Sequence, residues 1–161
     1  MPLLKLQSSE LAPRLTPGDY QALSQFRRAI REFLAFSEES ALGHGVTAQQ
    51  HQALLAIRAH DGPEPMSIGE LADTLLIKNH SAVGLVGRLV DRGLIVRRAS
   101  ETDRRRVLLL LQPSGEEILA SISRDNLVKL SAATRSLRRV LATLKRIETV
   151  QTTKVAEREQ A

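Results

Sequence analysis

Helix-start signals recur along this chain at intervals that leave room for only one stretch of other structure. Thr16 precedes Pro17. Threonine caps a helix by accepting from its first unpaired N–H groups, and proline suits the first helical position, where an N–H has no partner. Thr47 stands three residues before Gln50, and Ser67 three before Glu70. In that spacing each side chain caps a backbone N–H of the other. Ser114 and Glu117 repeat the pattern. Stop signals fall between these starts: Gly43 with Gly45, Asp61-Gly62-Pro63 with Pro65, and Gly93. Only Leu94 to Gln112 escapes the helical punctuation.

Hydrophobic spacing agrees with these boundaries. Tyr20, Leu23, Phe26, Ile30, Phe33 and Leu34 follow a helical period, and Leu54, Leu55 and Ile57 give the next helix its apolar side. A short helix through about Leu76 buries Ile68, Leu71, Ala72 and Leu75, and a break covers 77–79. A helix from His80 to Arg92 then carries Val83, Val86, Leu89 and Val90 on its apolar side. Leu94–Arg98 reads as a strand, 99–104 as a polar loop and Arg106–Gln112 as a second strand. Periodicity alone leaves the run Val107–Leu111 open between helix and strand. The polar loop before it and Pro113 after it favour a hairpin. Helix follows to about Val150, with Ile118, Leu119, Ile122, Leu127 and Leu130 on one segment. Leu137, Val140, Leu141, Leu144 and Ile147 lie on another, beyond a joint near 131–134.

The predicted fold class is mainly α with a small β-wing: a winged helix-turn-helix plus N- and C-terminal dimerisation helices. The boundaries are a flexible arm at 1–15, an N-terminal dimerisation helix at 16–46, and a winged helix-turn-helix lobe at 47–112. C-terminal dimerisation helices follow at 113–152, and a frayed tail at 153–161. Aromatic residues make up only 2% of the chain, so the core must rest on aliphatic side chains, which suits helix packing. A chain of 161 residues can hardly bury its terminal amphipathic faces within itself, and a two-fold dimer is the usual solution.

Composition narrows the function classes. The net charge of +5 suits a polyanion, either nucleic acid or an acidic membrane surface. The absence of cysteine removes disulfides, thiolate zinc sites and thiol redox chemistry. No run approaches the ~18 apolar residues of a membrane span, and the start lacks a signal-peptide core, so a cytoplasmic location is expected. No phosphate-binding loop, nucleophile elbow or metal triad is present, so neither an enzyme nor a cofactor is expected. His44, His51, His60 and His80 match no common zinc spacing.

The stretch from Ser67 to Gly115 resembles the MarR (multiple antibiotic resistance regulator) family. Ser67-Ile68-Gly69-Glu70-Leu71-Ala72-Asp73-Thr74-Leu75 is similar to the first helix of its helix-turn-helix. His80 to Ile95 is similar to its recognition helix running into the wing. Asp103-Arg104-Arg105 resembles the family's Asp-x-Arg wing turn. Leu111 to Gly115 resembles its Leu-Thr-x-x-Gly ending, with Gln112 in place of Thr. Gly84 and Gly87 depart from the pattern, standing where basic or polar residues and Asp are common. The resemblance implies a homodimer with interlocked terminal helices, palindromic double-stranded DNA operators, and release by a small, often phenolic, effector.

The candidate interface has two parts. A recognition helix enters the major groove by its N-terminal end, here Asn79, His80, Ser81 and Ala82. Asparagine suits adenine, serine several bases, and alanine a thymine methyl. Lys78 is placed to grip a phosphate. Asn79 or Ser81 can equally be a helix cap, and Arg88 can contact DNA or pair with Asp91. In the wing region, six arginines face two carboxylates between Arg92 and Arg106. Arg97, Arg98, Arg104, Arg105 and Arg106 are the candidate wing contacts. Arginine suits the narrow minor groove, and the family pattern assigns that role to Arg105, with Asp103 holding the arginine or the turn. Tyr20, Phe26, Arg27, Phe33 and His51 are the candidate effector-pocket residues, though core packing explains the aromatics as well. The expected partners are double-stranded DNA, a second copy of the chain and a small aromatic or phenolic effector, with no membrane. The alternative is a winged-helix protein-interaction module without specific DNA binding, whose mark is an exposed apolar patch on the recognition helix.

Overall fold

The computed structural model describes residues 15–103, 105–131, 134, 138 and 141–142. Apart from Leu15, the expected arm lies outside them. So do the tail and most of the segment beyond 131. The order is α1 (Pro17–Gly43), α2 (Ala48–Ala59), α3 (Ile68–Thr74), α4 (Asn79–Asp91), β1 (Ile95–Ala99) and β2 (Val107–Leu111). A further helix, α5, covers 113–131. The chain divides into two compact units, one of residues 1–33 and 130–161, the other Leu34–Lys129.

In the first unit, Thr16 caps α1. Its backbone N–H and hydroxyl donate to Asp19 Oδ2 at 2.7 and 2.9 Å, and the Asp19 N–H returns a bond to Thr16 Oγ1 at 3.4 Å. Asp19 thus plays the part that Gln50 and Glu70 play in the other two caps. Both of those form as their spacing predicts, with Thr47 and Ser67 at the N-cap positions.

The second unit holds the core. Val46, Leu54, Leu71, Leu85, Leu89, Ile95, Leu109, Leu119 and Ile122 are fully or almost fully buried together. Each such aliphatic side chain contributes about 1.5–3 kcal/mol relative to exposure. Helix α4 presents Ala82, Leu85, Val86 and Leu89 to this core, the i, i+3, i+4, i+7 face. Val83, expected on that face, is 47% exposed. The buried side is therefore rotated from the predicted one, and Ala82 takes the inner position.

The hairpin is antiparallel, with Ile95 opposite Leu111 and Ala99 opposite Val107. It gains a short third partner that the sequence did not announce. Ser67 bridges Leu108, and the Leu109 N–H donates to the Met66 carbonyl at 2.9 Å.

Three helices end the same way. After α1, the Val46 N–H reaches the Ala41 carbonyl and the Gly45 N–H reaches Leu42. After α4, Leu94 reaches Leu89 and Gly93 reaches Val90. After α3, Ile77 reaches Ala72 and Leu76 reaches Asp73. This paired closure satisfies orphan carbonyls but requires a left-handed residue. Gly45 and Gly93 supply it with φ of 76° and 66°, whereas the third site uses Leu76, φ 54°, with its side chain 93% exposed.

Helix α5 starts differently from the expected Ser114–Glu117 box. Pro113 occupies the first helical position, so Ser114 lies inside the first turn. Its hydroxyl donates to the Gly93 carbonyl at 2.7 Å. The Gln112 N–H donates to the Leu94 carbonyl at 2.9 Å. Gly115 is buried, and a Cβ there would strike the same Leu94 carbonyl oxygen.

Two stability outcomes follow. Leu76→Gly should raise stability by about 1 kcal/mol, because it relieves the left-handed penalty and forfeits no packing. Gly115→Ala should lower it by about 1–3 kcal/mol through overpacking. Urea denaturation of the two variants against the unsubstituted protein measures both.

Candidate nucleic-acid interface

Lys78 is the N-cap of α4, in extended conformation and without a side-chain cap bond. Lysine has no acceptor, so no side chain closes this helix start. Asn79 and Ser81 lie inside the first turn and are not caps. Asn79, His80 and Ser81 are exposed, and among the described residues none makes a side-chain hydrogen bond. The Ser81 N–H turns back to the Lys78 carbonyl at 2.9 Å, so the polar side chains of this turn face outward with the N–H groups of Asn79 and His80, the arrangement that attracts phosphate and base edges.

Ala82 is a correction. The sequence reading placed it against a thymine methyl, but it is fully buried in the core. It lies three and four residues before Leu85 and Val86, and so shares their face.

The exposed face of α4 continues through Gly84 to Arg88. A Cβ at Gly84 would lie 3.6 Å from Arg88 Nη1, and one at Gly87 3.7 Å from Arg97 Nη2. The two glycines thus leave the helix surface bare where two guanidinium groups lie. Among the described residues Arg88 forms no ion pair, with Asp91 or any other carboxylate. Arg97 and Arg98 are exposed on β1, opposite Leu109 and Leu108.

The wing turn is closed by its own polar groups. Asp103 Oδ1 accepts the Arg105 N–H at 2.9 Å, and the Arg106 N–H donates to the Asp103 carbonyl at 2.9 Å. Asp103 therefore holds the turn through the backbone, and the Arg105 side chain is exposed. Arg104 lies outside the described residues.

Arg106 departs from its expected place among the DNA-facing arginines. Its Nη1 donates to Glu64 Oε2 at 3.2 Å, and its Nη2 lies 3.0 Å from both carboxylate oxygens of Glu70. It is a strut between the wing and the two acidic residues that flank the start of α3. Glu64 was missed by sequence reasoning, because it belongs to no spacing motif and stands 42 residues from Arg106. The one local signal is its setting, Pro63-Glu64-Pro65, in which two prolines stiffen the backbone.

Glu70 serves two structures at once. Its Oε2 accepts the Ser67 N–H and hydroxyl, both at 2.7 Å, while the Arg106 guanidinium lies against the same carboxylate. The Ser67 hydrogen bonds, helped by Arg106, hold its pKa below the ordinary glutamate value.

The candidate effector residues do not form one cluster within either unit. In the first, Tyr20 and Arg27 are exposed and Phe26 and Phe33 half-buried; His51 belongs to the second. His51 is 5% exposed, its Nε2 has no partner among the described residues, and burial pushes its pKa below the usual imidazole value. His44 Nε2 lies 3.3 Å from Asp125 Oδ2 on α5, which also accepts from the Ser40 hydroxyl at 3.0 Å. Among the described residues no group of three or more potential ligands is placed to hold a metal ion.

A short helix, a tight turn, a second helix with an open polar start and an arginine-bearing hairpin together define a winged helix-turn-helix protein. The MarR family model matches residues 44–106, from the end of α1 to the root of the wing. A relative described as a putative transcriptional regulatory protein for the hcr operon of Thauera aromatica is 34% identical over 115 residues, covering 71% of this chain and 61% of the relative. The transcriptional activatory protein BadR of Rhodopseudomonas palustris is 28% identical over 109 residues, covering 68% and 58%. The chain thus spans about three fifths of the length of these curated relatives. Among solved structures, a MarR family transcription regulator aligns with TM-score 0.63 and 25% identity, covering 88% of this chain and 92% of its own. MepR of S. aureus bound to an oligodeoxyribonucleotide shares the fold at TM-score 0.57 and 19% identity, covering 84% and 98%. CouR of Rhodococcus jostii bound to p-coumaroyl-CoA does so at 0.57 and 19%, covering 73% and 87%. Over residues 44–106 the chain carries the winged helix-turn-helix of the MarR family.

The lowered pKa of Glu70 sets a pH response. Its folded value lies below the unfolded one of about 4.3. The associated stability is therefore complete above that pH and is lost as pH falls through the lower folded value. Thermal melts should show a steeper loss below about pH 4.3 in the unsubstituted protein than in Glu70→Gln, with parallel behaviour near neutrality.

Proposed function

We propose that this protein is a transcription regulator that binds double-stranded DNA sequence-specifically as a homodimer, on palindromic operators, and that a small aromatic or phenolic effector releases it. The observation that carries the reading is the outward polar start of α4 in the same unit as a closed wing turn bearing exposed Arg105. The helix supplies major-groove contacts from Asn79, His80 and Ser81. The wing supplies Arg105 to the minor groove, with Lys78, Arg88, Arg97 and Arg98 on phosphates. MepR, a fold neighbour bound to an oligodeoxyribonucleotide, supports the DNA partner.

The dimer rests on uncovered apolar surface. Tyr20, Leu23, Ile30 and Leu34 line one side of α1 and are 40–61% exposed. Leu127 and Val128 on α5 are 65% and 73% exposed. An apolar stripe of this kind on a soluble helix calls for a partner. CouR bound to p-coumaroyl-CoA supports an aromatic effector. Repression is the proposed sign, and the activatory BadR makes a reporter assay the way to read it. The protein-interaction alternative gains little. Val83 is the one large apolar residue exposed on α4, and its neighbours at the helix start are polar. No helix among the described residues is long and apolar enough to cross a membrane.

The test is selection of duplexes from a random-sequence pool, followed by salt titration of binding to the winner. A preferred duplex with inverted-repeat character and a steep negative salt slope supports the reading. Arg105→Ala should then weaken binding by about 1–3 kcal/mol. Recovery of no preferred sequence defeats it.

A further inference from the structure

Two carboxylates lie against the most arginine-rich stretch of the chain. On charge alone they work against DNA binding, because each cancels a cation that a phosphate would attract. The geometry gives them another task, and it rests on the DNA-binding reading above.

Glu64 accepts from three side chains of the wing. Ser100 Oγ is 2.9 Å from its Oε1, Thr102 Oγ1 is 3.1 Å from both its oxygens, and Arg106 Nη1 is 3.2 Å from Oε2. A carboxylate only accepts, so both hydroxyls can donate to it, and Ser100 Oγ and Thr102 Oγ1 lie 2.9 Å apart, close enough for either to donate to the other. Whether Glu64 or Thr102 takes its proton, Ser100 Oγ is left as an acceptor. It takes the backbone N–H of Thr102 and of Asp103, each at 3.2 Å. The bonds already described for Arg105 and Arg106 close the rest of the turn, and the Ser100 N–H donates to the Arg106 carbonyl at 3.1 Å. Ser100 is 2% exposed, so water is poorly placed to replace Glu64 as its partner. Glu64 itself is presented by the stiff Pro63-Glu64-Pro65 segment, and the next residue, Met66, is hydrogen-bonded to β2.

We propose that Glu64 is a positioning residue for the wing. By accepting from Ser100 and Thr102 and anchoring Arg106, it fixes the turn that aims Arg105 at DNA. It never touches DNA itself. It acts by ordering the turn before DNA arrives, so that binding does not have to order it. Glu70 completes the anchor by holding the other side of Arg106.

The sign of the effect separates this role from plain electrostatics. Glu64→Ala and the isosteric Glu64→Gln each remove a negative charge, which by itself raises affinity for any DNA. Gln also offers an N–H₂ group where two hydroxyls donate. Binding is measured to the duplex selected by the unsubstituted protein and to a scrambled duplex of the same composition, alongside amide hydrogen exchange of the free protein. The inference expects affinity for the selected duplex to fall about tenfold, one decade of the equilibrium constant. Affinity for the scrambled duplex holds or rises. Exchange quickens at Thr102, Asp103 and Arg105 but not at Leu85 or Leu89 in α4. Thr102→Val, which removes one donor from the wing side without changing charge, should move both readouts the same way. Three results overturn the inference: equal gain on both duplexes, equal loss on both, or faster wing exchange with unchanged preference for the selected duplex. A selection that yields no preferred duplex, seen before any variant is made, defeats the DNA-binding reading and this inference with it.

Discussion

The carboxylate of Glu70 is where the helix-turn-helix and the wing become one object. It faces the Ser67 N–H and hydroxyl on one side and the Arg106 guanidinium on the other. Both partners of that ion pair are partly exposed, at 37% and 42%, so its direct energy is small, on the order of 1 kcal/mol or less. Its importance is geometric. The cap that starts α3 and the residue that ends the wing turn share an acceptor, and Ser67 also bridges Leu108 on β2. This side chain and the strand contact add direction to the buried packing that α3, α4 and the hairpin share.

Much of this arrangement is legible in the residues, because it is local. Caps at Thr16, Thr47 and Ser67 depend on partners three residues away, and the hairpin is bounded by Gly93 and Pro113. What escaped depends on phase or on distance. The inner face of α4 was read through Val83 rather than Ala82, because a small alanine carries little hydrophobic signal beside a valine, although it is fully buried. Ser114 looked like a cap until Pro113 claimed the first helical position. Arg106 looked like its neighbours in sequence, and only the fold brings Glu64 and Glu70 to it from 42 and 36 residues away. Asp19 was within reach of the same capping argument that found Gln50 and Glu70.

The two glycines of α4 illustrate how a departure from a family pattern acquires a physical meaning. Each costs helix stability, about 1 kcal/mol relative to alanine. In return, the guanidinium groups of Arg88 and Arg97 lie over bare backbone. Positive charge on this surface is carried by long side chains arriving from one turn away and from β1, rather than by residues at 84 and 87 themselves.

The junction at Gly115 has a mechanical consequence. Ser114 is bonded to the Gly93 carbonyl, Gln112 to the Leu94 carbonyl, and Gly115 leaves no gap against that same peptide. Gly93 and Leu94 are also the residues that close α4. The first turn of α5 and the last turn of α4 are therefore riveted through two consecutive peptide groups, with no slack for a swivel. A helix of the length of 113–131 spans about 28 Å. It works as a crank arm: a tilt applied along α5 is delivered to the end of α4 as rotation rather than absorbed at a joint.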